Sequence, residues 1–184
     1  MSASEESSRL EQLWAGEFGD AYVERNLDAH RGRDRFWTEL LDRLEVANVL
    51  EVGCNVGANL VWISQVLGVE NVAGVDVNEK SLEVLRERLP GIKAVLARGH
   101  ELPFPDGRFD LAFTAGVLIH QAPDNLPAIM SEVFRCSRRY VLCGEYYAEQ
   151  PEEVPYRGQS GALFKRDYGG CLLYTSPSPR DRQK

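Results

Sequence analysis

Val49-Leu50-Glu51-Val52-Gly53-Cys54-Asn55-Val56-Gly57, followed by Gly74-Val75-Asp76-Val77-Asn78, decides the fold of this 184-residue chain. The first run is a short apolar strand closed by Gly53. Leu60, Ile63 and Leu67 then recur at helical spacing, so strand, glycine turn and helix succeed one another. The unit repeats: Val72 to Val77 is a strand, Asn78 an N-cap, and Leu82, Leu85 and Leu89 line a helix that Pro90-Gly91 stops. Lys93 to Ala97 and Phe109 to Ala115 are strands on either side of a Pro/Gly loop, Leu102 to Gly107. Leu126, Ile129, Met130, Val133 and Phe134 form a helix entered through Asp124 or Asn125, and Tyr140 to Gly144 is a fifth strand. Upstream, Phe36, Trp37, Leu40, Leu41 and Leu44 share one face of a helix over residues 34–45. Parallel strands need crossovers, and the crossovers are these helices, so the chain is a doubly wound α/β domain with a mostly parallel sheet. Its chemistry belongs at the carboxyl ends of the strands.

The turn at Gly53 to Gly57 opens a helix, whose N-terminus and Cβ-free glycines let backbone amides approach a ligand. Asp76, ending the second strand, is placed to accept both hydroxyls of a ribose. NAD and S-adenosylmethionine both carry that ribose. The spacing here is G-x-x-x-G rather than the G-x-G-x-x-G of a pyrophosphate turn, position 51 is acidic, and no Lys or Arg occurs from Val49 to Leu67. A positively charged sulfonium nucleoside without phosphate suits such a turn better than a diphosphate does.

VLEVGCNVG (49–57), GVDVN (74–78) and GHELPFPDGRFDLAFTAGVLIH (99–120) resemble, in order and spacing, motifs of the class I S-adenosylmethionine-dependent methyltransferases. EFGDAYVERN (17–26), GEYY (144–147) and PYRG (155–158) are similar to methylases found with pseudaminic acid biosynthesis. The resemblance implies a Rossmann-like fold. It places Gly53, Cys54, Asn55 and Gly57 along the cofactor's methionine part, with Glu51 near its amino group. Asp76 takes the ribose, Val77 packs on adenine, Gly99 and His100 approach the adenine edge, and Ala115 or Gly116 faces the sulfonium. Asn55 stands where many relatives have glycine. The family completes its sheet with a sixth and a seventh strand; no further strand is read after Gly144, so the sheet is expected to stop at the fifth strand and leave it an open edge for self-association.

Other candidates carry two readings each. His120 suits a general base, and equally a buried histidine bonded to backbone, the reading preferred. Tyr22 and Arg25 either fold over the cofactor, Arg25 pairing its carboxylate, or form a solvated helix face. Arg135, Arg138 and Arg139 are read as structural. The aromatic and charged residues of 145–170 suit recognition of a polar ring-shaped molecule.

Formal net charge is −7, which argues against a general nucleic-acid or anionic-membrane binder. Four cysteines without C-x-x-C pairing and three histidines argue against a metal site, and Cys54 is read as inert. No run of about 18 apolar residues occurs, and the expected location is the cytoplasm. The expected organisation is a helical cap over 1–47, a cofactor-binding core over 48–147, a substrate-side loop over 148–170 and a tail over 171–184 outside the core, resembling adaptor-derived sequence. The expected function is S-adenosylmethionine-dependent methyl transfer to an oxygen or nitrogen of a polar small molecule, such as a sugar or nucleotide sugar. A cofactor-binding module without turnover and an NAD-dependent oxidoreductase are the alternatives.

Overall fold

The structure, a computed structural model, describes residues 3–175 and the side chains of residues 5–172. Strands β1 (Val49–Val52), β2 (Val72–Asp76), β3 (Lys93–Leu96), β4 (Phe109–Ala115) and β5 (Ser137–Gly144) pair in the order β3-β2-β1-β4-β5, every pairing parallel. The order reverses at β1, whose two neighbours are β2 and β4, so the crevice beyond its carboxyl end is the topological switch point.

Among the described residues seven α-helices accompany the sheet: α1 (Ala3–Ala15), α2 (Glu17–Arg25), α3 (Asp34–Leu44), α4 (Leu60–Leu67), α5 (Glu79–Arg88), α6 (Leu126–Cys136) and α7 (Tyr168–Thr175). Alternation along the strands sends side chains to two cores. Val49, Leu111 and Phe113 meet Trp37 and Leu41 of α3, Leu60 and Ile63 of α4, and Leu82 and Leu85 of α5. Leu50, Val52, Val75 and Ala112 meet Ile129, Met130 and Val133 of α6. Leu60, Ile63, Leu82 and Leu85 have no exposed surface, and each such burial is worth about 1.5–3 kcal/mol. Helices therefore cover both faces, as the spacing of the apolar residues required.

Local signals set the boundaries. Asn78 Oδ1 accepts from Ser81 N at 2.8 Å and caps α5. Gly68, at φ +86°, ends α4. Asn125 precedes α6 without a side-chain cap bond, and Pro127 sits in the first turn, where an amide has no intrahelical partner anyway. The basic residues near the end of α6 are structural. Arg135 binds Glu132, Asp106 and the carbonyls of Leu102 and Phe104; Arg138 binds Asp110; Arg139 binds the Glu45 carbonyl. None of Cys54, Cys136, Cys143 and Cys171 is in a disulfide, and no cluster that could hold a metal occurs among the described residues. No described helix is long and apolar enough to cross a membrane.

Three features differ from expectation. β5 begins at Ser137, three residues early. The segment 148–170 carries a two-residue antiparallel hairpin, β6 (Glu152–Glu153) with β7 (Phe164–Lys165). The tail expected to lie outside the core from Cys171 begins inside α7: Tyr168 is buried, and Cys171 and Leu172 pack against the α6 side of the sheet. The i, i+3, i+4 spacing of these three residues produces that face, which the adjacent Gly169-Gly170 disguises. Residues 176–184 of that tail lie outside the described residues. Among the described residues β5 pairs with β4 alone and is the edge of the sheet.

Leu172 stands with Met130, Val133, Val141 and Leu142 around a small void. Leu172→Ala is expected to destabilise the chain by about 1 kcal/mol in urea unfolding, half the loss at a fully buried leucine. Leu96→Ala, at a leucine 54% exposed, serves as the near-neutral reference. Equal effects would show that α7 does not belong to the core.

Candidate cofactor and acceptor site

The turn after β1 is held by the backbone of β2: the amides of Gly53 and Cys54 both donate to the Val75 carbonyl, at 2.7 and 3.0 Å. Gly53, Asn55 and Gly57 all have left-handed backbone, at φ +74°, +46° and +73°. Glycine is demanded at 53 and 57 by neighbours in the protein. A Cβ on Gly53 would stand 2.3 Å from Val117 Cγ2, and one on Gly57 2.4 Å from Leu85 Cδ1. Asn55 is one of the few side chains that tolerates the left-handed region, which removes the objection to it in this turn. Its Oδ1 is buried without a partner. Cys54 turns its sulfur toward Gly74, inside the core, and burial pushes its thiol well up, so it is inert.

Asp76, at the end of β2, accepts from Asn55 N (2.7 Å) through Oδ2 and from Asn78 N (3.0 Å) through Oδ1. Burial raises its pKa, against these amide hydrogen bonds. Asn78 carries the chain of contacts onward: its Nδ2 donates to the Trp14 carbonyl (3.2 Å) and to Asp20 Oδ1 (2.8 Å), tying α1 and α2 to the end of β2. Glu11 of α1 adds contacts with Arg98 (3.2 Å) and His100 (3.1 Å) beyond β3.

The two N-terminal helices thereby roof a cavity of about 830 Å³, open mouth included, over the carboxyl ends of the strands. Of the residues anticipated for this site, the wall contains Gly53, Asn55, Asp76, Val77, Gly99, Gly116, Tyr22 and His120. It does not contain Glu51, Cys54, Gly57, His100, Ala115 or Arg25, and the reasons differ. Gly57 packs on α5, and Ala115 joins the core behind. His100 is engaged with Glu11. Arg25 is exposed, its guanidinium 5.5 Å from the centre of the Tyr22 ring. Glu51 lies beneath the turn, fully buried, Oε1 accepting from Asn59 Nδ2 at 2.6 Å and Oε2 unpartnered. Asn59 Oδ1 accepts in turn from Arg33 (2.7 Å) and Trp37 Nε1 (3.1 Å).

His120 closes a 3-10 turn, Leu118–His120. Its Nδ1 lies 2.6 Å from the Ala162 carbonyl, which can only accept, so Nδ1 carries the proton and Nε2 keeps its lone pair. Burial lowers its pKa to about 4, leaving the ring neutral near pH 7. Glu145, just past β5, fixes this turn by accepting from Val117 N (3.1 Å) and Ile119 N (3.3 Å). Glu145, Trp14 and Asn78 escaped the sequence reading of the site. Only Trp14 had a legible signal, since Leu10, Leu13 and Trp14 stand at i, i+3, i+4.

The residues fit an S-adenosyl nucleoside. Asp76 offers a carboxylate for a diol, Val77, Ala97 and Ile129 offer an apolar slot, and the orphaned Asn55 Oδ1 awaits a donor such as an ammonium group.

Burial raises Glu51 from its ordinary 4.5 to about 8. Its stabilising contribution is therefore complete below pH 4.5 and is lost as pH rises through 8. Glu51→Gln escapes that loss. Its stability relative to the parent chain is expected to grow between pH 5 and 8 by at most about 1.4 kcal/mol per pH unit in denaturant titrations. Parallel stability curves would place Glu51 in a solvated setting.

Residues 49–139 match the family model of the methyltransferase domain. Methyltransferase GfsG of Streptomyces halstedii is 32% identical over 114 residues, covering 57% of this chain and 40% of that protein. The chain thus spans less than half of that relative's length. In structure it is similar to 1,6-didemethyltoxoflavin-N1-methyltransferase of Burkholderia thailandensis, solved with S-adenosylhomocysteine bound, at a TM-score of 0.73 and 20% identity over 95% of this chain and 78% of that one. It also resembles the sugar N-methyltransferase KedS8 of a Streptoalloteichus species, at a TM-score of 0.60 and 13% identity over 78% of this chain and 62% of that one. The chain thus shares its fold with solved methyltransferases, and its residues 49–139 are similar to the methyltransferase domain.

Proposed function

We infer that this protein transfers a methyl group from S-adenosylmethionine to an oxygen or nitrogen of a polar, ring-shaped small molecule. The observation that carries this reading is Asp76, a carboxylate in the cavity wall at the end of β2, held between the glycine turn and the roof helices. Asp76 would accept the ribose hydroxyls, Val77 and Gly99 would flank the adenine, and Gly53, Asn55 and Gly116 would border the methionine end. The cofactor supplies a methyl group on a sulfonium. The acceptor's lone pair would bond to that carbon as sulfur keeps the C–S electron pair, and the acceptor's proton would leave to solvent.

The chain's residues contribute placement more than acid–base force. A histidine that protonates only near pH 4 is a weak base, so His120 Nε2 would receive a hydrogen bond from the acceptor's N–H or O–H and aim its lone pair. The solved relatives named above act on different acceptors, a toxoflavin precursor and a sugar, so the fold leaves the acceptor open. We place the chain in the cytoplasm, where thiols such as Cys54 and Cys136 stay reduced. The unpaired edge of β5 supports self-association by strand pairing.

Calorimetric titration with S-adenosylhomocysteine and with NADH tests the reading. S-adenosylhomocysteine is expected to bind and NADH not. Asp76→Ala is expected to weaken that binding by about 1.5–3 kcal/mol, or roughly 10- to 150-fold. Tight NADH binding would turn the reading to an oxidoreductase. S-adenosylhomocysteine binding without methylation of any acceptor would leave a cofactor-binding module.

A further inference from the structure

Beyond the cofactor side, the cavity is bounded by α1, α2 and the turn after β4, and this boundary is built from rings. Trp14 is its centre, with centroids 5.2 Å from Phe18, 5.2 Å from Tyr22 and 4.4 Å from His120. Tyr156 closes the group, 5.0 Å from His120 and 6.2 Å from Phe18. Trp14, Tyr22 and His120 line the cavity, and Phe18 and Tyr156 back them. The rings are fixed in mutual edge and tilted contacts, so a flat guest would meet a preformed platform at little ordering cost.

The charge on the same wall is one-sided. Among the described residues no Lys or Arg lines the cavity, whereas Glu11, paired with Arg98, and Asp76, on the cofactor side, do. The cations nearest the rings are committed elsewhere. Arg98 pairs with Glu11, and Arg33 donates to Asn59. Arg25 and Arg157 are exposed, lying over the rings of Tyr22 and Tyr156 rather than in the wall. The lone imidazole is neutral near pH 7 and supplies no compensating charge. A phosphate held against the rings would lose its water without gaining a charged partner, which costs several kcal/mol. An uncharged or cationic ring would suffer no such loss, and a cation would gain from the ring faces.

We propose that the acceptor is a flat, uncharged or cationic heteroaromatic ring bearing the nucleophilic N–H or O–H, and that phosphate-bearing acceptors such as nucleotide sugars are excluded. The proposal rests on the methyltransferase reading above and narrows its acceptor. In it, Trp14 supplies the stacking platform, and His120 Nε2 receives the hydrogen of the atom to be methylated.

The test is calorimetric titration of the whole chain, with and without saturating S-adenosylhomocysteine. The probes are three neutral bicyclic heteroaromatics (lumazine, quinazolin-4-one and indole), uridine diphosphate N-acetylglucosamine, and methyl β-glucoside. At least one bicyclic ring is expected to bind about tenfold or more tighter than either sugar probe, and Trp14→Leu to weaken it by about tenfold. Tighter binding of the nucleotide sugar or the glucoside overturns the proposal, as does failure of all three flat rings to bind. Unchanged ring affinity in a Trp14→Leu chain that still binds S-adenosylhomocysteine also overturns it. Loss of S-adenosylhomocysteine binding with the ring preference intact would instead overturn the cofactor reading and leave the acceptor class standing.

Discussion

The carboxylate of Asp76 joins three parts of the molecule that are distant in sequence. One oxygen takes the amide of Asn55 in the glycine turn, and the other takes the amide of Asn78, whose side chain reaches the carbonyl of Trp14 and the carboxylate of Asp20. Turn, second strand and roof are thus in register through one part-buried acid and the Asn78 side chain beside it. Such bonds to a charged acceptor are each worth about 1.5–3 kcal/mol, enough to hold a turn whose three left-handed residues would not adopt that shape alone. A ribose entering the cavity would share an acceptor that already organises the cavity's roof.

The electrostatics follow from that burial. Glu51, Asp76 and Glu145 lie beneath or beside the site, and burial raises the pKa of all three. Among the described residues no Lys or Arg lines the cavity wall, which disfavours anions and suits a ligand that brings positive charge, as a sulfonium does. Glu145 shows how the same chemistry sets geometry: by accepting two amides of the turn after β4 it fixes Val117 against Gly53, and with it the place of His120. Position 53 calls for glycine because its backbone is left-handed, and a Cβ there would also meet Val117.

Much of this was legible in the sequence because the core follows simple periods. The apolar triplets of α4, α5 and α6 and the valine-rich strands carry their burial in their spacing, and the switch point at β1 follows from five strands with crossovers. Asp76 was readable because its role depends on a strand end, a local feature. Glu51 was half readable: its acidity in an apolar strand marked it, but its partners Asn59 and Arg33 come from folds of the chain that spacing does not reveal. Trp14 and Asn78 were missed as site residues since their contacts join residues 64 positions apart. α7 was missed because glycines mask a three-residue apolar face whose partners lie on α6 and β5.

Amide hydrogen exchange with and without S-adenosylhomocysteine reads the cavity and its roof at once. Added ligand is predicted to slow exchange at residues 53–57, 76–78 and 99–100, at the 116–120 turn, and along residues 10–23 of the roof helices, leaving β3 and α7 unchanged. Protection confined to other parts of the chain, or absent altogether at saturating ligand, would contradict the placement of the cofactor beneath α1 and α2.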